Sequence, residues 1–579
     1  MTKELSIDEE RRIRKILWFL ILFSVVVRSF IAASIELGND EVYYWTYARF
    51  PDWSHFDHPP MVGLMIQFFT LNLHFSNEFF LRLGSIFLGT LNTYIIYLIG
   101  KQLKDSLTGL YAAFLFTSSI YCLIISGTFI MPDTPQVFFW LITIYLLLRS
   151  LPDKSLSGNS RLMVLLSGVT IGLALLSKYH SVFLIPGAFF YILFFNRKWF
   201  KTREIYISLL LAILFFLPVM IWNSQNEYIS FTFHEGRVEH SVFKIRWDYF
   251  LTEILGQFFY NNPVNVIIIV AGFISLFRKK EPIGEKLWLI LFMSLPLWMV
   301  FVVFSFFSST LPHWTGPAYL GFILIGAEWI SNRSEKKVNI PMIPWQLRVA
   351  LILPLIIIFL GVSQINYGWI PFKRFKSDDF STQLYGWKQL GRKFHEVADR
   401  DSINKKMPQN SPVLTFRWFP AANLDYYVAT PTGHPLYAIG TLSKIHKYYW
   451  IDKNRGNLQK GISAYYIVLS DDYQSPHDIL GNLFDSISVP DTIPIIRQDE
   501  VIRKAFVYRL YGLKKEIRFN KFESFVEPDI KRIRYWEKQI MTHPEWVVKI
   551  REKAKVQGRT FEDQVWQEAK WFAEKEILE

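Results

Sequence analysis

The chain has 579 residues, of which 51% are hydrophobic, 17% aromatic and 20% charged, so apolar and charged residues must be segregated along it. A formal net charge of +13 would suit a nucleic-acid binder, but most Lys and Arg fall in short links between apolar runs, which is the pattern of membrane topology and excludes nucleic acid as a partner. The single cysteine, Cys122, lies inside an apolar run, forms no intrachain disulfide and is silent about redox compartment.

Taken in chain order, Arg11-Arg12-Ile13-Arg14-Lys15 precedes a long apolar run and reads as the cytoplasmic end of an uncleaved first helix, about residues 16 to 35. That helix delivers Asn39-Asp40-Glu41 to the outer face, beside Tyr43, Tyr44, Trp45 and Tyr47, aromatic residues suited to the lipid headgroup layer. The apolar piece from Met61 to Phe75 is about 22 Å long as a helix and carries Gln67, Asn72 and His74, too short and too polar to cross a core of roughly 30 Å. Reading it as a re-entrant or interfacial helix keeps Lys101, Lys104, Arg149, Lys154 and Arg161 on the cytoplasmic side. Further spans are expected near 80–100, 108–127, 135–149, 162–177, 181–196, 204–222, 260–277, 286–305, 314–331 and 347–363, about 11 transmembrane helices in all. Their basic links at 196–198, 278–280 and 333–337 then face the cytoplasm.

After Tyr367 no spanning run occurs, and a water-soluble part follows. Asp379 to Ala398 reads as a helix, and Pro412–Phe416, Ala464–Ser470 and Ala505–Tyr511 as buried strands of a small α/β domain. From Asp529 the tail is helical, with a start at His543-Pro544, a stop at Gly558 and a capping pattern at Thr560-Phe561-Glu562-Asp563. Its Trp546, Trp566 and Trp571, at helical spacing, are expected to pack rather than to platform sugars. The expected divisions are 1–365 for the membrane domain, 366–515 for a periplasmic α/β domain and 516–579 for a helical extension.

On this map the outer face gathers Asp40, Asp57, His58, Asp133, Lys178, the 223–249 loop and His313. A carboxylate at a membrane boundary suits general base catalysis on an acceptor hydroxyl, and Asp40 is placed in that role. Glu41, next in sequence, points away from Asp40 if the segment is extended, and positions or pairs. Asp133 orients the acceptor, holds Asp40 or completes a divalent-metal site; Pro132-Asp133-Thr134-Pro135 equally fits a plain turn. Lys178, helped by His58, Arg82 and Arg237, can hold a departing phosphate; snorkelling to the headgroups is the alternative for Lys178. Asp57, Tyr179 and His313 are further outer-face candidates. A metal requirement stays open, with Mg or Mn on Asp40 and Asp133 as the arrangement to test.

Asn39-Asp40-Glu41-Val42-Tyr43-Tyr44-Trp45, Phe56-Asp57-His58-Pro59-Pro60-Met61, Met131-Pro132-Asp133-Thr134-Pro135, Leu176-Ser177-Lys178-Tyr179 and Leu311-Pro312-His313-Trp314, in this order, resemble the GT-C superfamily of polyprenyl-phosphate-sugar glycosyltransferases. The likeness is to its bacterial family 39, related to dolichyl-phosphate-mannose protein mannosyltransferases and to the aminoarabinose transferase of lipid A. Gln383-Leu384-Tyr385-Gly386-Trp387, Asp425-Tyr426-Tyr427 and Tyr508-Arg509-Leu510-Tyr511-Gly512 extend it weakly to about residue 515. The resemblance implies a polytopic α-helical core with a re-entrant outer helix, Asp40 as the catalytic acid and Asp133 as the second outer-face acid. It further implies transfer of one sugar, with inversion, from undecaprenyl phosphate to an envelope lipid, glycan or protein on the periplasmic face of a bacterial inner membrane. Asp57-His58-Pro59 stands where the aminoarabinose branch has an acidic-Lys-Pro motif, and no lysine precedes Leu311-Pro312-His313, which argues against aminoarabinose as the sugar. A lipid-linked-sugar flippase or other polytopic transporter is the competing class. It predicts paired ionisable groups at mid-bilayer, where Arg28 is the main instance.

Overall fold

The computed structural model describes residues 6–233, 245–278, 282–335, 343–371, 379–519, 530–557 and 560–578. The chain forms two units, Met1–Ile365 and Asn366–Glu579.

The first unit is helical. Helix α1 (Ile7–Ser34) opens on a reciprocal cap in which Glu9 N–H donates to Ser6 Oγ and Ser6 N–H donates to the Glu9 carboxylate, satisfying two of the donors a helix start leaves unpaired. Two short helices follow, α2 (Asn39–Arg49) and α3 (Met61–Phe69). With 9 residues, α3 is roughly 14 Å long and cannot cross the bilayer. Leu71, Asn72 and Leu73 then take positive φ in succession, turning the chain back before α4 (Glu78–Leu103). The length of α3 agrees with the expectation that this piece does not span.

Helix α5 (Ser106–Ser118) runs against α4 at a glycine contact. A Cβ on Gly100 would lie 2.8 Å from Gly109 Cα, so only hydrogen at both positions lets the backbones meet. The expected span at 108–127 is not one helix: α5 stops at Ser118, a single π-turn covers Tyr121–Ile125, and the chain re-enters regular helix at α6 (Asp133–Ser150). Helices α7 (Gly158–Leu175), α8 (Leu184–Phe195, after a 3-10 turn at Tyr179–Phe183) and α9 (Arg203–Gln225) continue the bundle. Leu209, Leu210, Ile213, Leu214 and Leu217 on α9 are exposed, an apolar face suited to lipid. Near 260–277 the structure holds a broken pair, Trp247–Tyr260 and Pro263–Arg278, bent by 102° where Asn262 has positive φ and Pro263 starts the next helix. Helices Glu285–Phe304, Gly316–Glu335 and Trp345–Tyr367 complete the unit. Among the described residues six helices are long and apolar enough to cross a membrane, or seven if the bent pair is one span. The remaining apolar segments expected as spans are shorter, broken or more polar.

The second unit holds a six-stranded sheet of order β2-β1-β3-β6-β4, with β5 also on β6. Strands β1 (Val413–Thr415), β2 (Leu436–Ala438) and β3 (Ala464–Leu469) are parallel; β4 (Phe484–Ile487), β5 (Asp491–Arg497) and β6 (Glu500–Leu513) add antiparallel pairings. Every residue of β3 is buried, as in a strand covered on both faces. The helix expected from Asp379 to Ala398 starts later, at Trp387, and runs to Ile403, because Gly386 takes φ +93° and separates it from a short 3-10 turn. In the tail, Ile530–Thr542, Pro544–Gln557 and Phe561–Leu578 are helical, and Asp563 N–H donates to Thr560 Oγ1 at 3.1 Å as the capping pattern requires. Asp529 and Gly558 lie outside the described residues.

Candidate active site

The Asn39-Asp40-Glu41 motif is the first turn of α2, not an extended loop. Successive helical residues point about 100° apart, so Asp40 and Glu41 diverge for a different reason from the one expected. Glu41 turns inward: its carboxylate takes Arg82 Nε at 2.7 Å and Arg82 Nη2 at 2.6 Å, plus the N–H of Gly38 at 2.9 Å and of Ile130 at 3.1 Å. Arg82 adds bonds to the carbonyls of Ala32, Ile35 and Glu36. Five donors thus meet five acceptors, which is the full capacity of a guanidinium. Arg82, expected as a phosphate ligand, is instead a buried brace joining the end of α1, α2 and α4, and Glu41 is its counter-charge.

Asp133, at the start of α6, is buried and holds Lys178 Nζ at 2.8 Å and the Tyr121 hydroxyl at 3.0 Å. The π-turn at Tyr121–Ile125 swings Tyr121 to this position. Lys178 sits just before the 3-10 turn Tyr179–Phe183, and the neighbouring Leu176 carbonyl accepts from Met61 N–H at 3.1 Å, tying the start of α3 to the site. Asp57 accepts from Tyr43 at 3.0 Å and Tyr47 at 2.5 Å. His58 Nε2 lies 4.0 Å from Asp57, and the His58 ring is 5.8 Å from that of Tyr44. His313, half-buried, stands within electrostatic reach of Lys178 and Asp133; burial first, then Lys178, push its pKa down to about 4, so it is neutral at pH 7.

Asp40 differs from its neighbours. Among the described residues its carboxylate takes no hydrogen bond and no ion pair. The side chain is open to water, yet protein surrounds it on most sides. That crowding, followed by the charges of Asp57 and Glu41, pushes its carboxyl up to about 6, with Lys178 pulling the other way. One helical turn on, Tyr44 faces the same charges; burial, then Asp40 and Asp57, hold its hydroxyl well above the ordinary phenol range and keep it a neutral donor.

Of the sequence candidates, Asp40, Glu41, Asp57, His58, Asp133, Lys178 and His313 are therefore neighbours in one cluster. Tyr179 packs beside it with its ring 5.6 Å from Phe231 and 6.2 Å from Phe216. Arg237 lies outside the described residues. The aromatic run is not a headgroup belt: Tyr43, Tyr44, Trp45 and Tyr47 are all buried, because α2 is enclosed by its own unit and its tyrosines line the acids. Tyr44 and Tyr121 were not singled out from sequence as site residues. For Tyr44 the signal was present in its four-residue spacing from Asp40. Each Asp133 oxygen already accepts one hydrogen bond, from Tyr121 and from Lys178, and no three His, Cys, Asp or Glu groups among the described residues are placed to hold a metal.

Residues 57–222 match the family model described as dolichyl-phosphate-mannose-protein mannosyltransferase. Over 311 residues the chain is 22% identical to the lipid A galacturonosyltransferase RgtD of Rhizobium johnstonii, an alignment covering 53% of this chain and 63% of that protein. Over 269 residues it is 24% identical to a protein of Aquifex aeolicus, covering 45% and 51% of the two chains. The chain thus spans between half and two-thirds of the length of these relatives. Crystal structures of ArnT from Cupriavidus metallidurans, bound to undecaprenyl phosphate and in the apo state, superpose with TM-scores of 0.52 and 0.51 at 14% and 13% identity, covering 84% and 85% of this chain and 97% and 98% of theirs. At such identity the likeness is one of fold.

Proposed function

We propose that the chain is a membrane glycosyltransferase of the GT-C type, and that it moves a single sugar from a polyprenyl phosphate, undecaprenyl phosphate in a bacterial inner membrane, to an acceptor hydroxyl on the periplasmic face; the matching family model, the relatives and the shared fold support this reading. The observation that carries this reading is the division of labour among four acids: Glu41, Asp57 and Asp133 each hold partners within the protein, while among the described residues Asp40 takes none. Asp40 accepts the acceptor's proton as the oxygen attacks the anomeric carbon from the side opposite the leaving group, which inverts configuration. The polyprenyl phosphate leaves with the bonding pair. Lys178 donates one of its three N–H bonds to Asp133 and keeps two for the departing phosphate. Neutral His313 and Tyr44 offer uncharged contacts within electrostatic reach of the same acid, Asp133. No step of this mechanism is routed through a metal.

The acceptor is an envelope lipid, glycan or protein; the name of the Rhizobium relative supports a lipid A-like lipid. The test is purified protein in detergent with undecaprenyl-phosphate sugars and lipid, glycan and peptide acceptors, following release of undecaprenyl phosphate together with a new glycosidic bond. Transfer in detergent, lost in Asp40→Asn, supports the reading. Movement of the lipid-linked sugar only in sealed vesicles, with no new bond, would replace it with the flippase class.

A further inference from the structure

The second unit carries a cavity of about 330 Å³ that the transfer reading does not use. Its position follows from the sheet. In the order β2-β1-β3 the chain runs from β1 to a neighbour on one side, then crosses back to form β3 on the other. Such a reversal opens a crevice beyond the carboxyl ends of the parallel strands, where α/β sheets bind ligands. The cavity lies there: Phe416 follows β1, Ile439 to Thr441 follow β2, and Tyr473 to Ser475 come soon after β3.

Trp571 of the last helix closes one side. The expectation that the tail tryptophans all pack holds for Trp546, stacked on Phe572 at 5.0 Å, and for Trp566 in the tail's own core. Trp571 meets Phe572 edge-on at 5.0 Å, is 43% exposed and also lines the cavity. Around the remaining wall Lys444, Gln474, Asp478 and Asn482 supply one cation, one carboxylate and two amides.

We infer that this cavity is a saccharide subsite that takes one pyranose ring, its C–H face on the Trp571 indole. The volume sits at the small end of ligand pockets, roughly 300–1,000 Å³, which suits one ring rather than an acyl chain or a dinucleotide. Vicinal hydroxyls both donate and accept, and the amides of Gln474 and Asn482 with Lys444 and Asp478 match that mixture. A phosphate is disfavoured because Asp478 opposes the charge that Lys444 would attract. The inference does not depend on the transfer reading.

Full-length protein in detergent is titrated by saturation-transfer NMR with methyl glucopyranoside, methyl 2-amino-2-deoxyglucopyranoside and methyl galacturonopyranoside. At least one binds saturably in the millimolar range, and Trp571→Ala weakens it by about tenfold as the aromatic platform is lost. Asn482→Trp, at an exposed rim position, fills the mouth and abolishes binding with the melting temperature unchanged, which keeps the test decisive should Trp571→Ala unfold the tail. Asp40→Asn leaves this binding unaltered. No saturable binding by any of the three glycosides, or binding that survives both Trp571→Ala and Asn482→Trp, overturns the inference.

Discussion

The two units bury carboxylates to different ends. In the second unit Asp401 takes Arg509 through two bonds at 2.6 and 2.9 Å and Tyr465 at 3.2 Å, and Asp425 takes Arg455 at 2.7 Å and Tyr448 at 3.2 Å. Each acid cross-links helix to strand or to another helix, and its oxygens are occupied. The membrane unit builds the same kind of brace twice, at Glu41–Arg82 and Asp133–Lys178, and beside them holds a further acid, Asp40, that takes no partner among the described residues. An unpaired carboxylate in crowded surroundings is costly to keep ionised. Its presence next to two satisfied pairs marks chemistry, whereas the paired acids mark architecture.

The largest effects should come from breaking the braces, where the two units ought to behave alike. Arg82→Met leaves Glu41 buried without its counter-charge, and Arg509→Met strips Asp401 of its two charged hydrogen bonds, leaving it Arg400 at 4.0 Å for counter-charge; each should destabilise by about 3–5 kcal/mol, read as lost melting temperature of the purified protein. A brace whose loss left the melting temperature unchanged would remove its unit from the comparison.

Asp40→Asn should do the opposite. Transfer should fall by about 10² or more, while the fold gains or holds. The sign follows from the raised pKa. The folded protein holds the Asp40 proton more tightly than the unfolded chain, so the associated stability is complete below the ordinary carboxylate range and is lost as pH rises through about 6. The Asn variant lacks that loss, and its melting temperature should match the parent at pH 4 and equal or exceed it at pH 7.5. The parent's transfer rate should rise through an acid limb near pH 6 as the base ionises. A flat rate between pH 5 and 7.5 would assign the base elsewhere.

Orientation offers a sharper, all-or-none check on the membrane unit. A periplasmic reporter fused at Tyr367 should be active and one fused after Lys280 inactive; the reverse would move the Asp40 cluster to the cytoplasmic side.

Much of this arrangement was legible in the sequence where it rests on periodicity and charge. The apolar runs foreshadowed six long apolar helices among the described residues, though not the breaks in the other runs, and the basic links argued against a span at Met61 to Phe75, where α3 is only 9 residues long. Pairings across distance were not legible. Nothing in sequence joins Glu41 to Arg82, 41 positions away, in place of a phosphate, nor Tyr121 to Asp133, which depends on one π-turn. The 102° bend turns on Asn262 and Pro263 inside an apolar stretch whose hydropathy hides it. Strands β2, β4 and β5 escaped because the first two have only 3 and 4 residues, and β5 buries only alternate positions. Trp571 escaped because helical spacing records the face a residue occupies, not what that face meets.

The smallest effect separates two tyrosines on one helix. Tyr47 donates to Asp57 at 2.5 Å, so Tyr47→Phe removes a bond to a charged acceptor and should lower stability by about 1.5–3 kcal/mol. Tyr44, three residues earlier, stands one turn from Asp40 and among the described residues takes no hydrogen-bond partner at its hydroxyl. If that hydroxyl serves the substrate, Tyr44→Phe should leave the melting temperature unchanged and slow transfer by roughly two- to tenfold, the worth of one hydrogen bond of about 0.5–1.5 kcal/mol. The readouts should cross, one variant moving the melt and the other the rate. Should Tyr44→Phe move the melt and not the rate, Tyr44 joins the braces, and the open side of the cluster narrows to Asp40 and Lys178.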